Sequence, residues 1–258
     1  MTRLATTLFT AALLANLLHC EADTGGGLGE VYVGVQNEAA ATGAEVSQFE
    51  TRYGYQVTLL EARVWLGPLY VWAPSGAQAS SPPLSLIGRA YAHGGYDPLS
   101  GRRIRVEYAS QWAMDLLATE ALSLGLQTAE IGTSDGASLA LLPPPTGEGA
   151  STHGHHLWVH GVARKDGQDT EFAGGVDIAD DGLLRRVNGI EAALELQDGR
   201  AVVLHVRTNV LFDRAHFDRL SDSDDDGVAE LLPNSQPYDA IFLGLTDPDA
   251  YYVTIENE

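Results

Sequence analysis

From residue 30 onward the apolar positions come in short runs rich in Val, Leu, Tyr and Trp, separated by clusters of Gly, Pro, Asp and Ser. Runs of that length with such punctuation read as strands, because turn residues recur too often for helices to propagate. The pattern predicts strands at Val31–Val35, Gln56–Leu66, Leu69–Trp72, Leu84–Ala92, Arg103–Tyr108, Ala121–Ile131, Ser138–Leu142, His155–Arg164, Glu171–Ile178, Val187–Leu196, Ala201–Arg207 and Tyr251–Ile255. Helix is expected only near Trp112–Thr119, Leu211–Leu220 and Asp239–Leu245. Strands without amphipathic helices between them give an all-β expectation, an antiparallel two-sheet β-sandwich with a few short helices.

Two hairpins stand out. Asp198-Gly199 between Ile190–Leu196 and Ala201–Val206 is the pair that a two-residue turn with positive φ at both positions favours. His155–Arg164 and Thr170–Ile178 form the second, joined by Lys165 to Asp169. Centring that loop pairs His160 with Gly174 and Trp158 with Val176, a register that offers no carboxylate beside the histidines.

Residues 1–19 have a different texture. Arg3 precedes an apolar run from Leu4 to Leu18 that is too short to span a bilayer comfortably and reads as an export signal. The run ends Leu17-Leu18-His19-Cys20, which resembles the lipobox of bacterial lipoproteins, with His19 standing where that family has Gly, Ala or Ser. The resemblance implies cleavage before Cys20, acylation of its thiol by chains such as palmitate, and a membrane-anchored lipoprotein of the bacterial cell envelope, periplasmic or at the cell surface. Residues 20–30, rich in Gly, then read as a lipidated tether and 31–258 as the folded domain.

Charge narrows the partners. With 35 Asp and Glu against 15 Lys and Arg, the formal net charge is −20. No basic face can be assembled to release counterions from phosphates, so nucleic acid is excluded as a partner. The single Cys excludes an intrachain disulfide and any zinc site of several thiolates.

The segment Thr152-His153-Gly154-His155-His156-Leu157-Trp158-Val159-His160 holds four of the chain's eight histidines. If extended, it sets His153 and His155 on one face ~7 Å apart, and His156 and His160 on the other. Nitrogen donors at that spacing suit Zn²⁺, Cu²⁺ or Ni²⁺, which need three or four ligands. His93 is the candidate third ligand, with Asp97 or His205 behind it. The competing reading is a set of solvated histidines at a strand edge.

Asp222-Ser223-Asp224-Asp225-Asp226-Gly227 resembles the first half of an EF-hand-type calcium loop, with Asp at relative positions 1, 3 and 5 and Gly at 6. The second half departs, since Pro233 occupies position 12. Asp222, Asp224, Asp226 and Glu230 are the candidate Ca²⁺ ligands, against a solvated acidic turn.

Enzyme signatures are weak. Gly132-Thr133-Ser134-Asp135-Gly136 fits the G-x-S-x-G string, yet the hydrolase elbow needs a strand before it and a helix after it. Ser134-Asp135-Gly136 reads more simply as a turn. Tyr53, Tyr55, Trp65, Tyr70 and Trp72 read as core rather than a sugar platform. The sequence thus points to a non-enzymatic envelope lipoprotein binding a divalent transition metal through histidines. The alternative is a structural or adhesive surface domain that engages a protein or glycan and carries a calcium-stabilised loop.

Overall fold

The computed structural model describes residues 27–75, 101–178 and 185–257. The expected signal and Cys20, the strand expected at Leu84–Ala92, and His93 and Asp97 lie outside the described residues.

The chain runs β1 (Leu28–Asn37), α1 (Glu38–Thr42), β2 (Gln48–Glu50), β3 (Gln56–Leu66), β4 (Leu69–Trp72), β5 (Ile104–Tyr108), β6 (Trp112–Asp115), β7 (Leu122–Glu130) and β8 (Gly132–Ala140). It continues with β9 (Leu157–Lys165), β10 (Gln168–Val176), β11 (Arg186–Leu196), β12 (Ala201–Val206), α2 (Thr208–Phe212), β13 (Ala229–Glu230), α3 (Gln236–Leu245) and β14 (Tyr251–Glu256). One sheet has the order β5-β4-β8-β11-β14-β12-β1-β7, and the other β13-β10-β9-β3-β2 with β6 also paired to β3.

The β-rich expectation holds, but the purely antiparallel sandwich does not. β1 pairs with β12, β11 with β14, and β10 with β13 in parallel. The larger sheet curls until its end strands β5 and β7 meet, giving a nearly closed, barrel-like form. Charge bridges that seam. Glu130, only 4% exposed, accepts from Arg103 Nε at 2.7 Å and Arg105 Nη1 at 2.9 Å, so strand ends with unpaired backbone are held by charge-assisted bonds.

Asp198-Gly199 turns the chain without making the expected hairpin. Gly199 has the positive φ such a turn needs, 72°, yet the turn docks on β1. The Gly199 N–H donates to Glu30 O at 2.8 Å and Asp198 Oδ1 accepts from the Glu30 N–H at 2.7 Å. β14 occupies the place between β11 and β12 instead, pairing antiparallel with β12 along its whole length.

Other local expectations change for identifiable reasons. Trp112–Asp115 is a strand on β3, with Trp112 and Met114 buried and the intervening residues outward, a period of two where a helix was expected. The helix expected over 211–220 is split into α2 and a short turn at Phe217–Arg219. The Gly132–Gly136 string lies inside β8, so it is neither elbow nor turn; the buried Ser134 hydroxyl donates to Ala192 O at 2.6 Å on β11.

One apolar core draws on both sheets, from Val31, Val33 and Leu204 to Val64, Leu157 and Phe172. On β3 the buried set switches from Val57 and Leu59 to Ala62, Val64 and Leu66. A β-bulge between Leu59 and Glu61 inserts the extra residue that resets the alternation, and it turns Glu61 outward opposite His160.

Candidate functional site

The turn before β9 and the β9–β10 hairpin carry the clustered histidines. The hairpin's own turn is tighter than the loop expected from residues 165–169, because Asp166 and Gly167 have φ of 53° and 78° and close a two-residue turn with Lys165 opposite Gln168. Every pair therefore shifts by one. His160 faces Ala173 and Trp158 faces Gly175, and one step beyond the last ladder pair Asp177 comes opposite His156.

Asp177 is the residue that sequence reasoning missed. Its Oδ2 lies 2.7 Å from His155 Nδ1, and its Oδ1 3.2 Å from His156 Nδ1 and 3.3 Å from the His156 N–H. Burial works against the carboxylate, but these bonds outweigh it and hold the Asp177 carboxyl below its usual range. The Tyr238 hydroxyl accepts from the Asp177 N–H at 3.0 Å and donates to its carbonyl at 3.1 Å. Tyr238 is set by the first turn of α3, where Ser235 caps the Tyr238 N–H.

His155 and His153 are not on an extended strand. After the turn of helix at Gly149–Thr152, His153 and Gly154 take φ of 51° and 87°, and β9 begins only at Leu157. The alternation expected for 153–156 is thereby replaced by a turn. Both imidazoles come to the same indole, with ring centroids 4.1 Å (His153) and 6.1 Å (His155) from Trp158. The indole N–H in turn donates to Glu61 Oε2 at 3.3 Å.

The floor under His155 is glycine for a steric reason. A Cβ on Gly175 would sit 2.0 Å from His155 Cγ and 2.1 Å from Cδ2, so no side chain fits without moving the ring. With Nδ1 committed to Asp177, Nε2 is the nitrogen left to a ligand; the described residues give it no partner. A carboxylate on one ring nitrogen of a metal-binding histidine fixes its tautomer and raises its basicity.

Of the remaining histidines only His156 touches this arrangement, through Asp177; His160 and His205 do not. His156 is 4% exposed, its Nε2 is without a partner among the described residues, and burial lowers its pKa despite Asp177. His160 bonds Glu171 at 2.8 Å on the outer face of the hairpin. His205 is in the other sheet, with Nε2 2.7 Å from Thr254 Oγ1 and its ring stacked on Tyr252.

The acidic loop forms the facing wall. Asp222, Asp224 and Asp226 each present a carboxylate oxygen, all within 4.8 Å of one another. Asp222 accepts from the Gly227 N–H at 2.8 Å and the Asp226 N–H at 3.2 Å, which lowers its pKa, whereas the Asp226 charge raises that of Asp224. Glu230 is turned to Ser223, accepting from its N–H and hydroxyl. The loop leads into β13, whose Ala229 and Glu230 pair with Phe172 and Ala173 of β10. His155, Trp158 and Asp177 thus line the same cavity of about 410 Å³ as Asp224, Asp226 and Glu230. The two regions that the sequence marked separately meet there.

No protein family matches the chain, and no curated protein does. Among solved structures, MbnP from Methylosinus trichosporium superposes over 89% of this chain and 98% of its own, with 10% identity and a TM-score of 0.41.

Proposed function

We propose that this chain is a non-enzymatic lipoprotein of the bacterial cell envelope, anchored through acylated Cys20, whose β domain captures a divalent transition-metal ion. His155 Nε2 is the primary donor, His153 supplies a second nitrogen beside Trp158, and His93 is the proposed third. Asp177 orients His155 from behind. Its role is capture or buffering of the ion, without turnover.

The observation that carries this reading is the His155 imidazole laid over the bare Cα of Gly175 with Nδ1 fixed on Asp177 at 2.7 Å. A solvated surface histidine needs neither the glycine nor the carboxylate. Borderline ions such as Zn²⁺, Cu²⁺ and Ni²⁺ favour imidazole donors. Elemental analysis of protein purified without chelators tests it. About one equivalent of metal, lost when His153 and His155 are both changed to Ala, is the expected result; equal metal in both proteins would refute it.

The acidic loop supports a second reading, a structural or adhesive surface domain stiffened by Ca²⁺. It rests on the convergence of three carboxylates within 4.8 Å. A ligand that binds only the folded state raises the melting temperature. A calcium-dependent rise that disappears in Asp226→Asn, together with no bound transition metal, would favour this reading over the first.

A further inference from the structure

The cavity beside His155 is far larger than a coordinated ion requires. Its volume of about 410 Å³ falls in the range of about 300–1,000 Å³ that holds small organic ligands. The walls are of two kinds. Trp158 and Tyr238 offer rings and Leu231 and Leu232 aliphatic surface, while Asp177, Asp224, Asp226 and Glu230 bring carboxylates. Among the described residues neither Lys nor Arg lines it.

Both rings are held before any ligand arrives, Trp158 by the bond from its N–H to Glu61 and Tyr238 by its two bonds to the Asp177 backbone. A pocket fixed in advance loses little entropy on binding. Leu232 at the edge remains 45% exposed, apolar surface that a ligand body would cover. Asp177 is already bonded to His155 and His156, but Asp224 and Asp226 have no basic partner among the described residues and select a cation, and the aromatic faces add a cation–π attraction that a neutral ligand cannot use. The aliphatic wall selects a cation with an apolar body over a bare inorganic one.

We propose that this cavity binds a small organic ammonium ion, its charge among the carboxylates of Asp177 and the acidic loop and its apolar body against Trp158 and Leu232. The site needs no metal, so it stands or falls apart from the metal reading.

The test is calorimetric titration of the full chain in EDTA with phenethylammonium, and with 2-phenylethanol as the neutral match in shape. Phenethylammonium is expected to bind at least tenfold more tightly than the alcohol. Leu232→Lys, which puts a positive charge at the exposed edge, is expected to weaken the amine at least tenfold with the melting temperature unchanged. Equal binding of amine and alcohol, absence of amine binding to the wild-type protein, or full binding by a folded Leu232→Lys variant would each overturn the proposal. Because EDTA removes metal ions, failure here leaves the elemental analysis unaffected.

Discussion

Replacing Gly175 by Ala adds one carbon to the floor beneath His155 and tests the site without altering a ligand. The new Cβ would stand 2.0 Å from His155 Cγ and 2.6 Å from Nδ1. Carbon atoms settle at about 3.5–4.0 Å, so the imidazole has to retreat by about 1.5 Å or swing out. Either movement breaks the 2.7 Å bond to Asp177. The backbone at 175 is not in the left-handed region, so the strain comes from the ring alone. Losing one partly exposed hydrogen bond costs about 0.5–1 kcal/mol of stability. Losing the partner that orients a ligating histidine typically lowers metal affinity about 10–100-fold. Competition titration with Zn²⁺ reads the affinity and urea unfolding the stability. In a His155→Ala background the stability cost of Gly175→Ala should vanish, because the clash has no second party. Wild-type affinity in Gly175→Ala would refute the claim that glycine serves to seat the histidine.

Asp177→Asn should lower Zn²⁺ affinity by a similar about 10–100-fold. It should also flatten the acid limb of the stability curve. The folded Asp177 pKa is depressed, so its contribution is complete above the unfolded value of about 3.9 and is lost as pH falls through the folded value; urea midpoints between pH 5 and 2 check this, and an unchanged limb would refute it. Glu130→Gln breaks the pairs with Arg103 and Arg105 at the seam and should cost about 3 kcal/mol; a loss under 1 kcal/mol in urea unfolding would show that these pairs do not hold β5 to β7. Ser134→Ala should cost about 1 kcal/mol by removing the bond to Ala192 O, with metal binding unchanged in the same titration.

Strand positions were legible because alternation and turn residues act within a few residues of each other, as on β3 and β5. Pairing was not, since nothing local to Asp198-Gly199 reveals that β14 will come between the strands it joins. The helix expected at Trp112–Thr119 failed where pairing with the neighbouring strand β3 selected the extended form. At the site the decisive signal was present but overlooked. Asp166-Gly167 is as good a two-residue turn pair as Asp198-Gly199, and reading it that way shifts the register by one and delivers Asp177 to the histidines. The shared cavity was beyond reach, because it depends on the parallel docking of the two-residue β13 on β10, too short a contact to leave a pattern.

The place of β14 bears on how such a chain comes to be folded. The latest of the described strands in sequence is an interior member of the larger sheet, between β11 and β12. A chain emerging amino end first cannot complete that sheet until Tyr251–Glu256 has appeared, and until then two strands that finish in the middle stand as bare edges. Exposed edges invite pairing with other chains, and contacts this distant in sequence form slowly. The interval between synthesis and closure is the period in which this protein is most open to aggregation and to whatever machinery handles unfinished chains. Its length is set by six residues that lie far in sequence from the histidines.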